Sequence, residues 1–222
     1  KALGADNVHG FRLPYRTSSS ESLDHARLAL QSTGAHEHTI EISEPIDRYV
    51  DEYDQEISAL RKGNLMARLR AVILFDQSAK RSALPLGTGN KSERLLGYFT
   101  WHADDSPPIN PIGDLFKTQV WALARHLGVP DEIIDKPATA DLVCGVTDED
   151  ELGVSYHDAD PILHALVSGY DVAELEAKGF DEGTVGMVWR RLTSTHWKRE
   201  LPTVAVLSSS AIGEFYLRPV DY

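Results

Sequence analysis

The sequence predicts an α/β domain: a mostly parallel sheet wound on both faces by helices, giving three layers. Three observations carry this reading. Short β-type runs at Val8–Leu13, His38–Ile42 and Ala83–Leu86 alternate with stretches of helical periodicity. The third of these runs into Gly87-Thr88-Gly89-Asn90, a glycine turn placed between a strand end and a helix start. A chain of 222 residues with 42% hydrophobic content can bury a single large core, because at this length roughly 70% of the unfolded surface is removed from water.

Taken in order, Lys1-Ala2-Leu3-Gly4-Ala5 reads as the last turn of a helix with Gly4 just past its end. Val8–Leu13 is a strand that Pro14 stops. Thr17-Ser18-Ser19-Ser20 supplies hydroxyl caps for a helix whose Leu23, Ala26 and Leu30 share a face, and Gly34 ends it. His38–Ile42 is the second strand. The spacing of Ile46, Val50, Tyr53 and Ile57 predicts a helix through all four. After Gly63 another helix is expected from Leu65 to about Lys80, buried through Leu69, Val72 and Ile73. Trp101–Gly113 reads as a loop, and a helix follows with Leu115, Val120, Leu123 and Leu127 turned inward and Gly128 past its end. Residues 136–153 form a long polar segment of the length that makes a lid. From Ser155 to about Thr195 the chain is helical again, and 201–222 reads as an extended C-terminal arm of the single 1–222 domain.

Composition excludes several functions. With 22 Lys+Arg against 34 Asp+Glu the net charge is −12, which disfavours non-specific binding to nucleic acid or an anionic membrane. No apolar run reaches the ~18–20 residues of a membrane span. The one cysteine, Cys144, rules out an intrachain disulfide and a cysteine-based zinc site. That usage fits the reducing cytoplasm, and without His and Asn context Cys144 reads as structural.

The chemistry concentrates at Gly87–Glu93. Glycines at a strand's carboxyl end let backbone N–H groups approach a phosphate, and the following helix N-terminus favours the anion. Thr88 can hydrogen-bond a nucleotide and Glu93 can ligate Mg²⁺, a hard cation suited to carboxylate and phosphate oxygen. The same residues also fit a plain glycine turn with a first-turn glutamate favoured by the helix dipole. The acidic run Asp148-Glu149-Asp150-Glu151 fits a solvated face.

Five blocks then carry a resemblance. Gly87–Glu93, Leu96-Gly97-Tyr98-Phe99-Thr100, Ile109–Val120, Lys136–Leu142 and Thr147–Gly153 resemble, in order, the ammonia-dependent NAD⁺ synthetases of the ATP pyrophosphatases. The match runs from Phe11-Arg12-Leu13-Pro14-Tyr15 to Lys198-Arg199. It implies an adenine nucleotide alpha hydrolase-like fold, and ATP-dependent amidation of deamido-NAD by ammonia through an adenylated intermediate. Mg²⁺ and a homodimer pairing helices of the Ile46–Lys80 region are implied with it. By the same resemblance Thr88, Lys117, Thr139 and Arg12 contact ATP, and Glu93 is the Mg²⁺ ligand. Arg68, Asp104, Glu151, His196 and Lys198 contact deamido-NAD.

Departures from the family pattern are specific. Its Ser-Gly-Gly-x-Asp-Ser phosphate loop is absent from the sequence and is expected before Lys1, so the sheet should lack a central strand and leave an apolar gap. Trp101 and Pro108 replace a substrate-contacting Lys and Asp, and Trp197 splits the His-Lys pair. Two other readings stay open at this point: a different ATP-pyrophosphatase ligase, and a non-catalytic nucleotide-binding module.

Overall fold

The computed structural model describes residues 2–140 and 145–200, with Ala205 and Leu207. The expectations for Cys144 and for the arm lie outside the described residues, apart from those two isolated positions.

Strands β1 (His9–Arg12) and β2 (His36–Thr39) pair in parallel, His9 opposite His36 and Arg12 opposite Thr39. Between them runs α1 (Ser20–Thr33). Ser19 caps it by accepting the Ser22 N–H, and Gly34 ends it in the left-handed conformation (φ 72°). Helix α1 lies on one face of the sheet, where a side chain at Gly10 would collide with Leu30. The other face carries α3 (Ala59–Lys80), whose Leu69, Ile73 and Leu74 pack with Phe11, Ile40 and the buried Leu13, Ile42 and Ile46. Helix, sheet, helix is the three-layer winding the sequence predicts. Its second strand starts two residues and ends three residues earlier than expected.

Several details differ from the periodicity. Helix α2 (Ser43–Tyr53) stops at Asp54, whose carboxylate pairs with Arg61, so Ile57 falls in a turn. Helix α3 starts six residues before Leu65, because Ser58 caps it through the Arg61 N–H, and Gly63 is buried within it. Val72 is 64% exposed, since the sheet is met by Leu69, Ile73 and Leu74. Ala83–Leu86 forms no strand; it makes one parallel bridge, Leu86 to Ile109. Beside that bridge a cavity of about 840 Å³ opens between α3 and Pro85–Leu86, lined by Ala67, Ala71, Leu74 and Phe75 on the helix side.

The remaining helices are α4 (Lys91–Leu96), α5 (Lys117–His126), α6 (Asp131–Ile134), α7 (Asp148–Leu152), α8 (Tyr156–Val167), α9 (Val172–Ala177) and α10 (Glu182–Ser194). They gather into a second core, except α6, which packs against α5 and α1. Leu96, Phe116, Tyr156, Leu163, Leu175, Val185 and Val188 are its buried centre. Leu115 precedes α5, and Leu127 is 43% exposed because α5 is short and already ending there. The acidic run, expected as a solvated face, is folded into α7 behind a Thr147–Asp150 capping box. Gly97 is the tight point: its φ is 66°, and a β-carbon there would strike Thr195. Among the described residues no helix is long and apolar enough to cross a membrane.

Candidate active site

Asn90 begins the site. It caps α4 by accepting the Glu93 N–H at 2.9 Å, and Glu93 returns a carboxylate oxygen to the Asn90 N–H at 3.0 Å. This box turns the Glu93 side chain back over the glycine turn, toward the start of α5. There its other oxygen meets the Lys117 ammonium at 3.0 Å, with both side chains less than a fifth exposed. Glu93 is therefore a capping residue and an ion-pair partner together. The dipole reading of a first-turn glutamate and the functional one are compatible in one geometry.

A cleft of about 370 Å³ opens above this pair, lined by Thr88, Gly89, Glu93, Lys117, Thr139, Tyr98, Asp104, Lys136 and Asp148. Thr139 reaches it from the 136–140 segment while donating its hydroxyl to the Val146 carbonyl at 2.8 Å. The larger cavity beside α3 shares Thr88, Tyr98 and Asp104 with the cleft and adds Glu151, Arg191 and Lys198. Seven of the ten residues proposed from the sequence thus border a hollow made of these two adjoining cavities.

The other three stand apart from both cavity linings. Arg12 pairs with Glu37 on the sheet, its Nε buried without a hydrogen-bond partner. Arg68 is exposed on α3, where its Nε–H donates to the Trp101 carbonyl at 3.3 Å and its side chain borders a small hollow with Tyr49 and Ile57. His196 is exposed and hydrogen-bonds the Thr193 carbonyl through Nδ1 at 2.7 Å. Lys198 borders the hollow with its ammonium committed to the Gly97 carbonyl at 2.6 Å and to the Phe99 carbonyl. Those bonds, with Arg199 on the Arg94 and Leu95 carbonyls, tie the C-terminal turn His196–Arg199 to the end of α4. Trp101 and Trp197, two of the departures from the family pattern, meet edge to face with ring centroids 5.4 Å apart.

Sequence reasoning passed over Asp148, Tyr98, Tyr156 and Lys136. Asp148 opens the acidic run, yet it is only 5% exposed. It accepts the Tyr98 hydroxyl at 3.2 Å and the Tyr156 hydroxyl at 3.3 Å. Burial pushes its pKa up, the Lys117 charge pulls it down, and Glu93 pushes it up again. Burial also raises both tyrosine hydroxyls above their ordinary range, with the Glu151 hydrogen bond adding to the effect at Tyr98, so each stays protonated and donates. Lys136 Nζ reaches Ser22 at 2.8 Å, joining the segment before Thr139 to α1. The available signal was the quoted blocks themselves, since Tyr98, Lys136 and Asp148 all lie inside them.

A glycine turn feeding a capped helix, with a carboxylate and an ammonium paired beneath it, defines an α/β protein equipped for nucleotide phosphates. The NAD synthase family model matches residues 1–202. The NH₃-dependent NAD⁺ synthetase of Trichlorobacter lovleyi is 44% identical over 213 residues, covering 96% of this chain and 78% of that protein. Among solved structures, NMN synthetase from Francisella tularensis superposes with a TM-score of 0.78 at 27% identity, covering 89% of this chain and 78% of that one. The NH₃-dependent NAD synthetase of Campylobacter jejuni, in complex with nitrate, gives 0.75 at 28%, covering 90% and 79%. The chain belongs to the NAD synthase family.

Proposed function

We propose that this protein converts deamido-NAD into NAD⁺ with ATP and ammonia. The nicotinate carboxylate attacks the α-phosphate of ATP and pyrophosphate leaves; ammonia then attacks the acyl-adenylate, AMP leaves and a proton is lost. The observation that carries the proposal is the Lys117–Glu93 pair beneath Thr88 and Thr139, in a chain whose relatives bear the name of that activity.

The residue types suit the reaction. The carboxylate nucleophile is already ionised near neutral pH, so no general base is needed to activate it. Charge develops on phosphoryl oxygens, and a fixed ammonium is the group that stabilises it. Among the described residues no three His, Cys, Asp or Glu converge on a metal position. Mg²⁺ commonly takes one or two carboxylates together with substrate phosphates, and Glu93 fits that mode as a carboxylate donor. Bound with ATP, the ion supplies charge neutralisation on the phosphates. In this reading Lys117 and Thr88 hold the phosphates, Thr139 holds the nucleotide, and Asp104, Glu151 and Lys198 face the dinucleotide. Arg12, Arg68 and His196 complete the set from outside the hollow. A cytoplasmic location, suggested by the single cysteine, belongs to the same proposal.

The test is an assay of the active enzyme with deamido-NAD, ATP, Mg²⁺ and ammonium. Equal amounts of NAD⁺, AMP and pyrophosphate are expected. A parallel arm with nicotinate mononucleotide, chosen because of the Francisella structure, should turn over far more slowly. AMP without NAD⁺ would point to another ligase, and ATP binding without turnover to a nucleotide-binding module.

The proposed dimer rests on surface chemistry. Tyr49 and Tyr53 of α2 and Leu60, Val72 and Phe75 of α3 are exposed, Tyr53 to 75%, a larger apolar display than a monomer's surface usually carries on two adjacent helices. Pairing of these helices would bring Arg68 beside the neighbouring subunit's substrate. Sedimentation at micromolar concentration should return twice the monomer mass; a monomer there overturns the pairing.

A further inference from the structure

The first turns of α4 and α5 are both held by one buried carboxylate, that of Asp160 in α8. Asp160 is 4% exposed and Ser92 fully buried. One Asp160 oxygen accepts the Ser92 hydroxyl at 2.5 Å. The other accepts the Thr118 N–H at 2.9 Å and the Thr118 hydroxyl at 2.7 Å. Ser92 Oγ in turn accepts the Lys117 N–H at 2.9 Å. Helix α5 needs this help, because its N-cap residue is Phe116, which has no side-chain acceptor. Two of the N–H groups that a helix leaves unpaired at its start are thus satisfied from α4 and α8. The negative charge also sits where the α5 dipole favours it.

Ser92 and Thr118 are the chain neighbours of Glu93 and Lys117. We infer that Asp160 is a positioning residue for the reaction: by fixing Ser92 and Thr118 it sets the placement of the Glu93 carboxylate relative to the Lys117 ammonium. The inference rests on the proposed roles of that pair in adenylation. The carboxylate accepts three hydrogen bonds from two helices, so an amide in its place cannot reproduce the set. In Asp160→Asn the NH₂ group must face a donor: turned toward Ser92, it leaves the serine hydroxyl proton without its acceptor; turned toward Thr118, it meets two donors. A buried network satisfied only in part gives up its rigidity, and the two first turns become free to separate.

The test uses the active enzyme and Mg²⁺ titrations of NAD⁺ formation. Asp160→Asn should lower kcat on the order of 10- to 100-fold, the usual cost of removing the support behind a metal-site ligand. It should also raise the Mg²⁺ concentration for half-maximal rate, and leave the KM for deamido-NAD within about twofold. A merely structural role would lower the melting temperature and the active fraction without moving the Mg²⁺ dependence. In the Glu93→Gln background the Asp160→Asn change should add little, since partners in one network are not additive. If Asp160→Asn does not fold, Ser92→Ala breaks the same bridge and is read by the same two quantities. A folded Asp160→Asn or Ser92→Ala with wild-type kcat and Mg²⁺ dependence, beside a defective Glu93→Gln, overturns this inference alone. Wild-type activity in Glu93→Gln overturns the site reading and this inference together.

Discussion

Replacing Lys117 by Met should slow NAD⁺ formation by roughly 10²–10³, equivalent to about 2.7–4 kcal/mol of transition-state stabilisation. Methionine keeps the unbranched stem and its place over the Tyr156 ring, where the ammonium now lies 5.2 Å from the ring centroid. What disappears is the charge. The Glu93 and Asp148 carboxylates then lose the cation that both face, and Asp148 moves further up in pKa because only Lys117 among its charged neighbours pulls it down. Pyrophosphate release and NAD⁺ formation should fall in parallel, since both depend on the first transfer. Steady-state rates at limiting and saturating ATP check this. Undiminished turnover at limiting ATP would return Lys117 to a structural ion pair.

Glu93→Gln should produce a loss of similar size with a different signature. Glutamine serves in a capping box as glutamate does, so the Asn90 N–H keeps its acceptor and α4 keeps its first turn. The helix should therefore survive, and the melting temperature should move little. The anion is lost, however, both as a partner of Lys117 and as the oxygen donor proposed for Mg²⁺. Turnover should drop by roughly 10²–10³ at low Mg²⁺, and excess Mg²⁺ should recover part of it. Glu93→Ala separates the two roles, because it also takes the acceptor from the Asn90 N–H and leaves half of the capping box. A Glu93→Gln protein with the wild-type rate at limiting Mg²⁺ would leave Glu93 as a cap alone.

Local signals made α1 and the start of α4 readable, whereas the helical stretch expected from Ser155 to about Thr195 divides into α8, α9 and α10. Ser19 with Gly34, and Asn90 with Glu93 and Gly97, are caps whose chemistry is complete within a few residues. The α2 and α3 boundaries were missed on the local Ser58 cap and the Asp54–Arg61 pair, and the other failures depend on partners distant in sequence. Ala83–Leu86 has strand composition, but its pairing is limited to the single Leu86–Ile109 bridge, and composition does not report the partner. Val72 has the right period for a buried face, but which side of α3 meets the sheet is decided by Phe11 and Ile40. The site divides the same way. Glu93 and Thr88 were legible from a turn and a first helical residue, whereas the depth of Asp148 is set by Tyr98 and Tyr156. Asp160 looked like any helical aspartate before a proline, and nothing in its neighbours in sequence announces Ser92 or Thr118.

The two cores described above have no buried residue in common: Leu13, Tyr15, Ile42, Ile46 and Met66 form one, and the centre around Tyr156 and Val188 the other. Free-energy changes at sites without shared partners add, so a cavity opened at Ile46 and one opened at Val188 should sum without a coupling term, as a double-mutant cycle would read. Losses in the two cores therefore accumulate in one unfolding free energy, each at its own full cost. The hollow beside α3 is bordered by residues from both sets of elements, so a loss in either core is felt there as a loss of alignment.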